Sequence, residues 1–250
     1  MNIGVLIVDR GSKDIEVKEE LNKICYKIKQ QQKYIFSKYC FLEVSEPSIN
    51  KMMTECFKFN IDKLIVIPYF LYSGKKVKLA VNRVMKFHNQ SDIKLVVTKP
   101  MLMHGLITKY VENRINDAIR KNKIKTQEQN IDVLIICHGS KDPNSHLSIM
   151  YVVNKLKPKY RNVKYCFLEI ESPNINDGIR KCIATKPYIL IIVFYFLHNG
   201  AHMKYDIYEE LIPALNRHKF TKFVFTEYIG KDEKLMDLII TRCKEVENAN

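Results

Sequence analysis

Short runs that are apolar at nearly every position alternate along the chain with longer stretches whose apolar residues recur every three or four positions. "VLIV" (5–8), "YCFLEV" (39–44) and "KLIVIPYFL" (63–71) are of the first kind, while "EVKEELNKICYKIKQ" (16–30) and "INKMMTECFKF" (49–59) are of the second. An uninterrupted apolar run of strand length suits a strand buried on both faces. An amphipathic segment between two such runs supplies the crossover of a parallel sheet. The pattern therefore predicts an α/β fold.

The same pattern then occurs a second time. Displaced by 126 to 128 positions, "GVLIVDRGSKD" (4–14) meets "DVLIICHGSKD" (132–142), and "YCFLEVSEPSI" (39–49) meets "YCFLEIESPNI" (165–175). "PYFLYSGKKVK" (68–78) and "KLVVT" (94–98) find "FYFLHNGAHMK" (194–204) and "KFVFT" (222–226) in the same order. Four ordered matches describe a duplication. The expected organisation is two homologous halves, 1–125 and 126–250, joined through the polar "KNKIKTQEQN" (121–130). Each half is expected to be a four-stranded parallel sheet with helices on both faces.

In open parallel sheets ligands bind outside the carboxyl ends of the strands, where the strand order reverses. His138 follows the first strand of the second half, Glu169 ends the second strand, and "HNGAH" (198–202) follows the third. Each has an ordinary reading of its own: Ser140 or Asp142 of "HGSKDP" is a natural helix cap, and Glu169 a natural partner for a helix lysine. Their convergence on one rim points further. Two imidazoles and a carboxylate suit a divalent ion such as Co²⁺, Ni²⁺, Fe²⁺ or Zn²⁺, and three ligands leave coordination positions open.

Composition narrows the setting. The chain has 250 residues, 46% of them hydrophobic, which is enough for a sizeable core. No segment approaches the roughly 18 apolar residues of a membrane span, and the N-terminal apolar stretch is too short for a signal peptide. A cytoplasmic protein with no membrane partner is the expectation. Seven cysteines stand singly, without a CxxC pair, and read as small buried hydrophobes. A net charge of +14 favours a polyanionic partner. The lysines are scattered over helix faces with no aromatic-interleaved stripe, which argues against nucleic acid.

A strand, then "HGS[K/R]D", then "FLE" followed by proline, then "FL..G.H" resembles the class II tetrapyrrole chelatases, most closely the sirohydrochlorin chelatases of the CbiX/SirB kind. The resemblance spans both halves. It implies two α/β lobes facing a cleft that holds the tetrapyrrole, with the metal inserted by histidines at the positions of His138 and His202. Glu169 matches a glutamate that some cobalt-inserting relatives use. His138, His202 and Glu169 are then both the metal ligands and the catalytic set, with His202 and Glu169 as the candidate acceptors of the pyrrole protons. Ser140, Lys141, Asn199, Gly200 and Ala201 would meet the ring periphery. The implied activity is a metal chelatase, a lyase that feeds cobalamin or sirohaem synthesis. Cobalt is the first expectation, iron the next, with nickel also open. The divalent ion is a substrate, so no permanently bound cofactor is expected. A polycarboxylate such as sirohydrochlorin fits a basic protein. A monomer is expected, since fusion supplies what single-lobe relatives obtain by dimerising. The alternative is a non-catalytic tetrapyrrole or metal carrier on the same fold.

The first half departs from this pattern. Arg10 and Lys76 stand where the second half has His138 and His202, although Glu43 is kept. Cationic side chains repel a divalent ion, so the first lobe is expected to lack metal chemistry, its cations clamping substrate carboxylates instead. His88, His104, His146 and His218 have no counterparts and are expected at the surface. His198, four residues before His202, is an ordinary loop residue or an auxiliary ligand.

Overall fold

The computed structural model describes residues 1–247 apart from 72–73, 102–104, 143–144, 199, 201–204, 206 and 232–233. It divides into two compact units, Met1–Leu102 with Met236–Asn250, and Met103–Leu235.

The first unit contains β1 (Ile3–Asp9), α1 (Ile15–Gln32), β2 (Phe36–Phe41), α2 (Ile49–Cys56), β3 (Lys63–Pro68), α3 (Lys75–Met85) and β4 (Lys94–Val97). Its four strands pair in parallel in the order β2-β1-β3-β4. The second unit contains α4 (Gly105–Lys121), β5 (Ile131–Cys137), α5 (Ser145–Leu156), β6 (Asn162–Phe167), α6 (Ile175–Ile183), β7 (Ile189–Phe194), α7 (Ile212–Asn216) and β8 (Lys222–Phe225). Its sheet is also parallel, in the order β6-β5-β7-β8. The last helix, α8 (Leu235–Glu247), lies almost wholly within the first unit. No helix among the described residues is long and apolar enough to cross a membrane.

The expected sheets form, and the packing explains their uninterrupted apolar runs. Leu6 and Val8 of β1 and Leu64 and Val66 of β3 pack against Met52, Met53 and Cys56 of α2 and Ala80 and Val84 of α3. The alternate residues Val5, Ile7, Ile65 and Ile67 point to the opposite face and are equally buried. In the second unit Leu134, Ile136, Leu190 and Ile192 meet Ile175, Ile179 and Cys182 of α6. With both faces covered, the central strands β1, β3, β5 and β7 show no polar alternation, whereas the outer strands β2, β4, β6 and β8 carry polar residues such as Lys38, Lys94, Lys164 and Lys222. All seven cysteines are buried free thiols.

The amino ends of the two sheets are built differently. In the second unit Asp132 is fully buried, and its carboxylate accepts from Arg161 Nε (2.6 Å) and Nη2 (2.9 Å), Thr185 Oγ1 (2.9 Å) and Asn162 Nδ2. The repeat-related position in the first unit is Gly4, enclosed by Ile61, Leu64 and Phe36. There the buried cation is Lys63, whose Nζ donates to the Glu247 carbonyl at 2.8 Å, at the carboxyl end of α8. A lysine is favourably placed against the last carbonyls of a helix.

Candidate functional site

Each sheet reverses its strand order at its first strand, so ligand-binding rims are expected beyond the carboxyl ends of β1 and β5. Backbone pairing continues past both strands there. Leu168 N–H donates to the Cys137 carbonyl (2.9 Å), and Glu169 N–H donates to the His138 carbonyl (3.0 Å). Glu43 N–H reaches the Arg10 carbonyl in the same way, also at 3.0 Å. The two candidate ligands His138 and Glu169 are thereby neighbours through the main chain.

The glycine after each of these first-strand residues is obligatory. Gly139 has φ +95°, and a Cβ there would lie 2.0 Å from the Glu169 carbonyl oxygen; Gly11 has φ +109° and a corresponding gap of 1.9 Å to Glu43. Beyond each glutamate the chain closes a three-residue turn, with Ser45 N–H donating to the Glu43 carbonyl (2.8 Å) and Glu171 N–H to the Glu169 carbonyl (2.7 Å). The central residues are Val44 at φ +72° and Ile170 at φ +71°. A γ-turn with positive φ is rare, and a β-branched residue at its centre carries strain of about 1–3 kcal/mol.

Side chains at the first rim meet around one carboxylate. Arg10 Nε lies 3.3 Å from Glu43 Oε1 and Lys76 Nζ 2.6 Å from Oε2. The Lys76 hydrogen bond, with Arg10 assisting against the opposing effect of burial, holds the Glu43 carboxyl below its usual range. These are the positions related by the repeat to His138, Glu169 and His202, so in the first unit the fold brings Arg10, Glu43 and Lys76 together. At the second rim His138 is half-buried and Glu169 exposed. His202, Asn199 and Ala201 lie outside the described residues. Gly200 has open space where a side chain would stand, and Lys141 is exposed. Among the described residues, no group of three or more His, Cys, Asp or Glu could hold a metal ion.

Ser140 is engaged locally. Its hydroxyl accepts the Asp142 N–H at 3.1 Å, and Ser12 does the same for Asp14, also at 3.1 Å. The Ser140 N–H donates to Glu171 Oε1 at 2.6 Å. The other Glu171 oxygen lies 2.7 Å from His146 Nδ1, and the His146 ring rests edge-on to Phe167 at 5.0 Å. His146 is therefore not the plain surface residue expected from sequence: it is half-buried beside the His138 loop. Sequence reading missed it because its carboxylate partner, Glu171, has only Ser45 as its counterpart, so the repeat carried no trace of the pair. Gly230 was missed as well. Its N–H donates to the Phe196 carbonyl (3.0 Å), and a Cβ there would fall 1.5 Å from the Leu197 oxygen. This close approach pins the segment that leads into "HNGAH". Burial pushes the thiol of Cys137, next to His138, well above the usual range.

The CbiX family model matches residues 4–118 and 132–246. The sirohydrochlorin cobaltochelatase of Priestia megaterium is 23% identical over 247 residues, covering 96% of this chain and 79% of its own. The sirohydrochlorin ferrochelatase of the same organism is 32% identical over 116 residues, covering 45% of this chain and 43% of its own. Among solved structures, SirB from Bacillus subtilis with Fe³⁺ superposes with a TM-score of 0.81 at 22% identity, over 99% of this chain and 96% of that one.

Proposed function

Because the chain belongs to the CbiX family, its two halves each matching the family model, we propose that it inserts a divalent metal ion into sirohydrochlorin. The ion is a substrate, cobalt first and iron next. The observation that carries the reading is the rim geometry: a histidine and a glutamate locked side by side by a main-chain hydrogen bond at the carboxyl end of a parallel sheet.

Insertion requires the ion to shed water, the macrocycle to expose its nitrogen lone pairs, and two pyrrole N–H protons to leave. His138 is the first ligand. Glu169 and His202 complete the ligand set and take the protons, for which imidazole, with an ordinary pKa of about 6.5, is well matched near neutrality. Lys141, Gly200, Asn199, Ala201 and the Ser140 segment line the ring periphery. Arg10 and Lys76 hold substrate carboxylates. They share the single carboxylate of Glu43, which leaves one positive charge for an incoming anion. The protein works as a cytoplasmic monomer with no resident cofactor.

The test follows the absorption spectrum of anaerobic sirohydrochlorin with Co²⁺ or Fe²⁺. Wild type is expected to accelerate insertion, with His138→Ala and His202→Ala each slowing it about 100-fold or more. A wild-type rate equal to the uncatalysed one defeats the reading. Binding without acceleration would identify a carrier instead.

A further inference from the structure

Resting on the chelatase reading, we infer that Ile170 is an apolar peg at the rim of the second unit that receives the flat face of the tetrapyrrole; Val44 is its repeat-related counterpart in the first unit. Both sit at the centre of a γ-turn with φ of +71° and +72°. That conformation favours glycine, and a β-branched residue is among the worst fits for it. Folding gives nothing back for this choice, because Ile170 and Val44 remain 58% and 59% exposed. An apolar residue that is both strained and left in water persists in both copies of the repeat. The metal site does not explain it either, since one copy neighbours His138 and Glu169 while the other neighbours Arg10 and Glu43.

Position supplies the missing reason. Ile170 directly follows the rim glutamate, on a turn closed by its own hydrogen bond and backed by the close approach of Gly139. Hydrogen bonds that run through the residues flanking Ile170 bring His138, Ser140, Glu169 and Glu171 to this rim. A macrocycle has the complementary distribution, carboxylates at its edge and an apolar conjugated face at its centre. A rigid apolar side chain beside the glutamate meets that face without an ordering cost on binding.

The experiment titrates sirohydrochlorin, without metal, into wild type and into Ile170→Val, Ile170→Thr, Ile170→Gly and Val44→Gly, following its absorption. Valine and threonine share shape and backbone strain and differ in polarity, so the pair separates contact from conformation. Ile170→Val is expected to stay within about twofold of wild type, and Ile170→Thr and Ile170→Gly to raise Kd about five- to tenfold, with Val44→Gly serving as the control for relief of backbone strain. The glycine variants are expected to melt at or above the wild-type temperature, with Co²⁺ binding in the absence of sirohydrochlorin unchanged. Unchanged Kd in both Ile170→Thr and Ile170→Gly overturns the inference, as does a lower melting temperature in the glycine variants. Metal insertion is assayed separately on wild type. Tight sirohydrochlorin binding without insertion would remove the chelatase reading and leave the Ile170 peg tested, whereas no binding by wild type would overturn both.

Discussion

Glu43 and Glu169 occupy the same place in two copies of one motif, Glu43 beside Arg10 and Lys76 and Glu169 beside His138 through the main chain. Glu43 is tied to Arg10 and Lys76, which hold its carboxyl below the ordinary value of about 4.3. A depressed carboxyl contributes stability above its ordinary pKa and loses it as pH falls through the lower folded value. The double variant Arg10→Ala/Lys76→Ala should therefore be less stable than wild type near neutrality. That difference should close as urea-unfolding series are taken to pH values below the Glu43 pKa. A difference independent of pH would mean that the two cations act through packing alone. The identities of Arg10, His138 and Glu169, and their place after strands, were legible in the sequence because duplication aligned them. The Glu171–His146 pair was not, since it joins two positions 25 residues apart that have no such pair in the other copy.

Among the elements, the central strands were the most legible, for a physical reason: β1, β3, β5 and β7 are buried on both faces, so their positions are nearly all apolar and the runs stand out. The polar exceptions were not legible. Asp132 looks like a boundary residue at the start of "DVLIIC", yet it is fully buried beneath Arg161, Asn162 and Thr185. Asp132→Ala removes a buried carboxylate and its charge-assisted hydrogen bonds, but Arg161 is 35% exposed and keeps access to water, so the second unit is expected to lose about 1–3 kcal/mol. Calorimetry should show this loss, while the first unit, with Gly4 in the corresponding place among apolar side chains, is unaffected. A loss below about 1 kcal/mol would show that solvent reaches the network.

At the level of the whole molecule, the sequence gives α4 and α8 to the ends of the first and second repeats, but the compact units group them otherwise. α4 contacts β7 and α5, and α8 belongs with β1–β4. An amphipathic helix advertises an apolar stripe and not the sheet it will cover, so this exchange leaves no mark in the hydropathy pattern. The buried Lys63 ammonium donates to the Glu247 carbonyl. Deleting residues 236–250 should therefore loosen β1 and β3 while leaving β5 and β7 protected, as read by hydrogen exchange. The opposite pattern would assign α8 to the other sheet. Synthesis runs against this arrangement. The strands of the first unit leave the ribosome well before residue 236, so the unit begun first is finished last, and its sheet must wait, incompletely covered, until the final helix arrives.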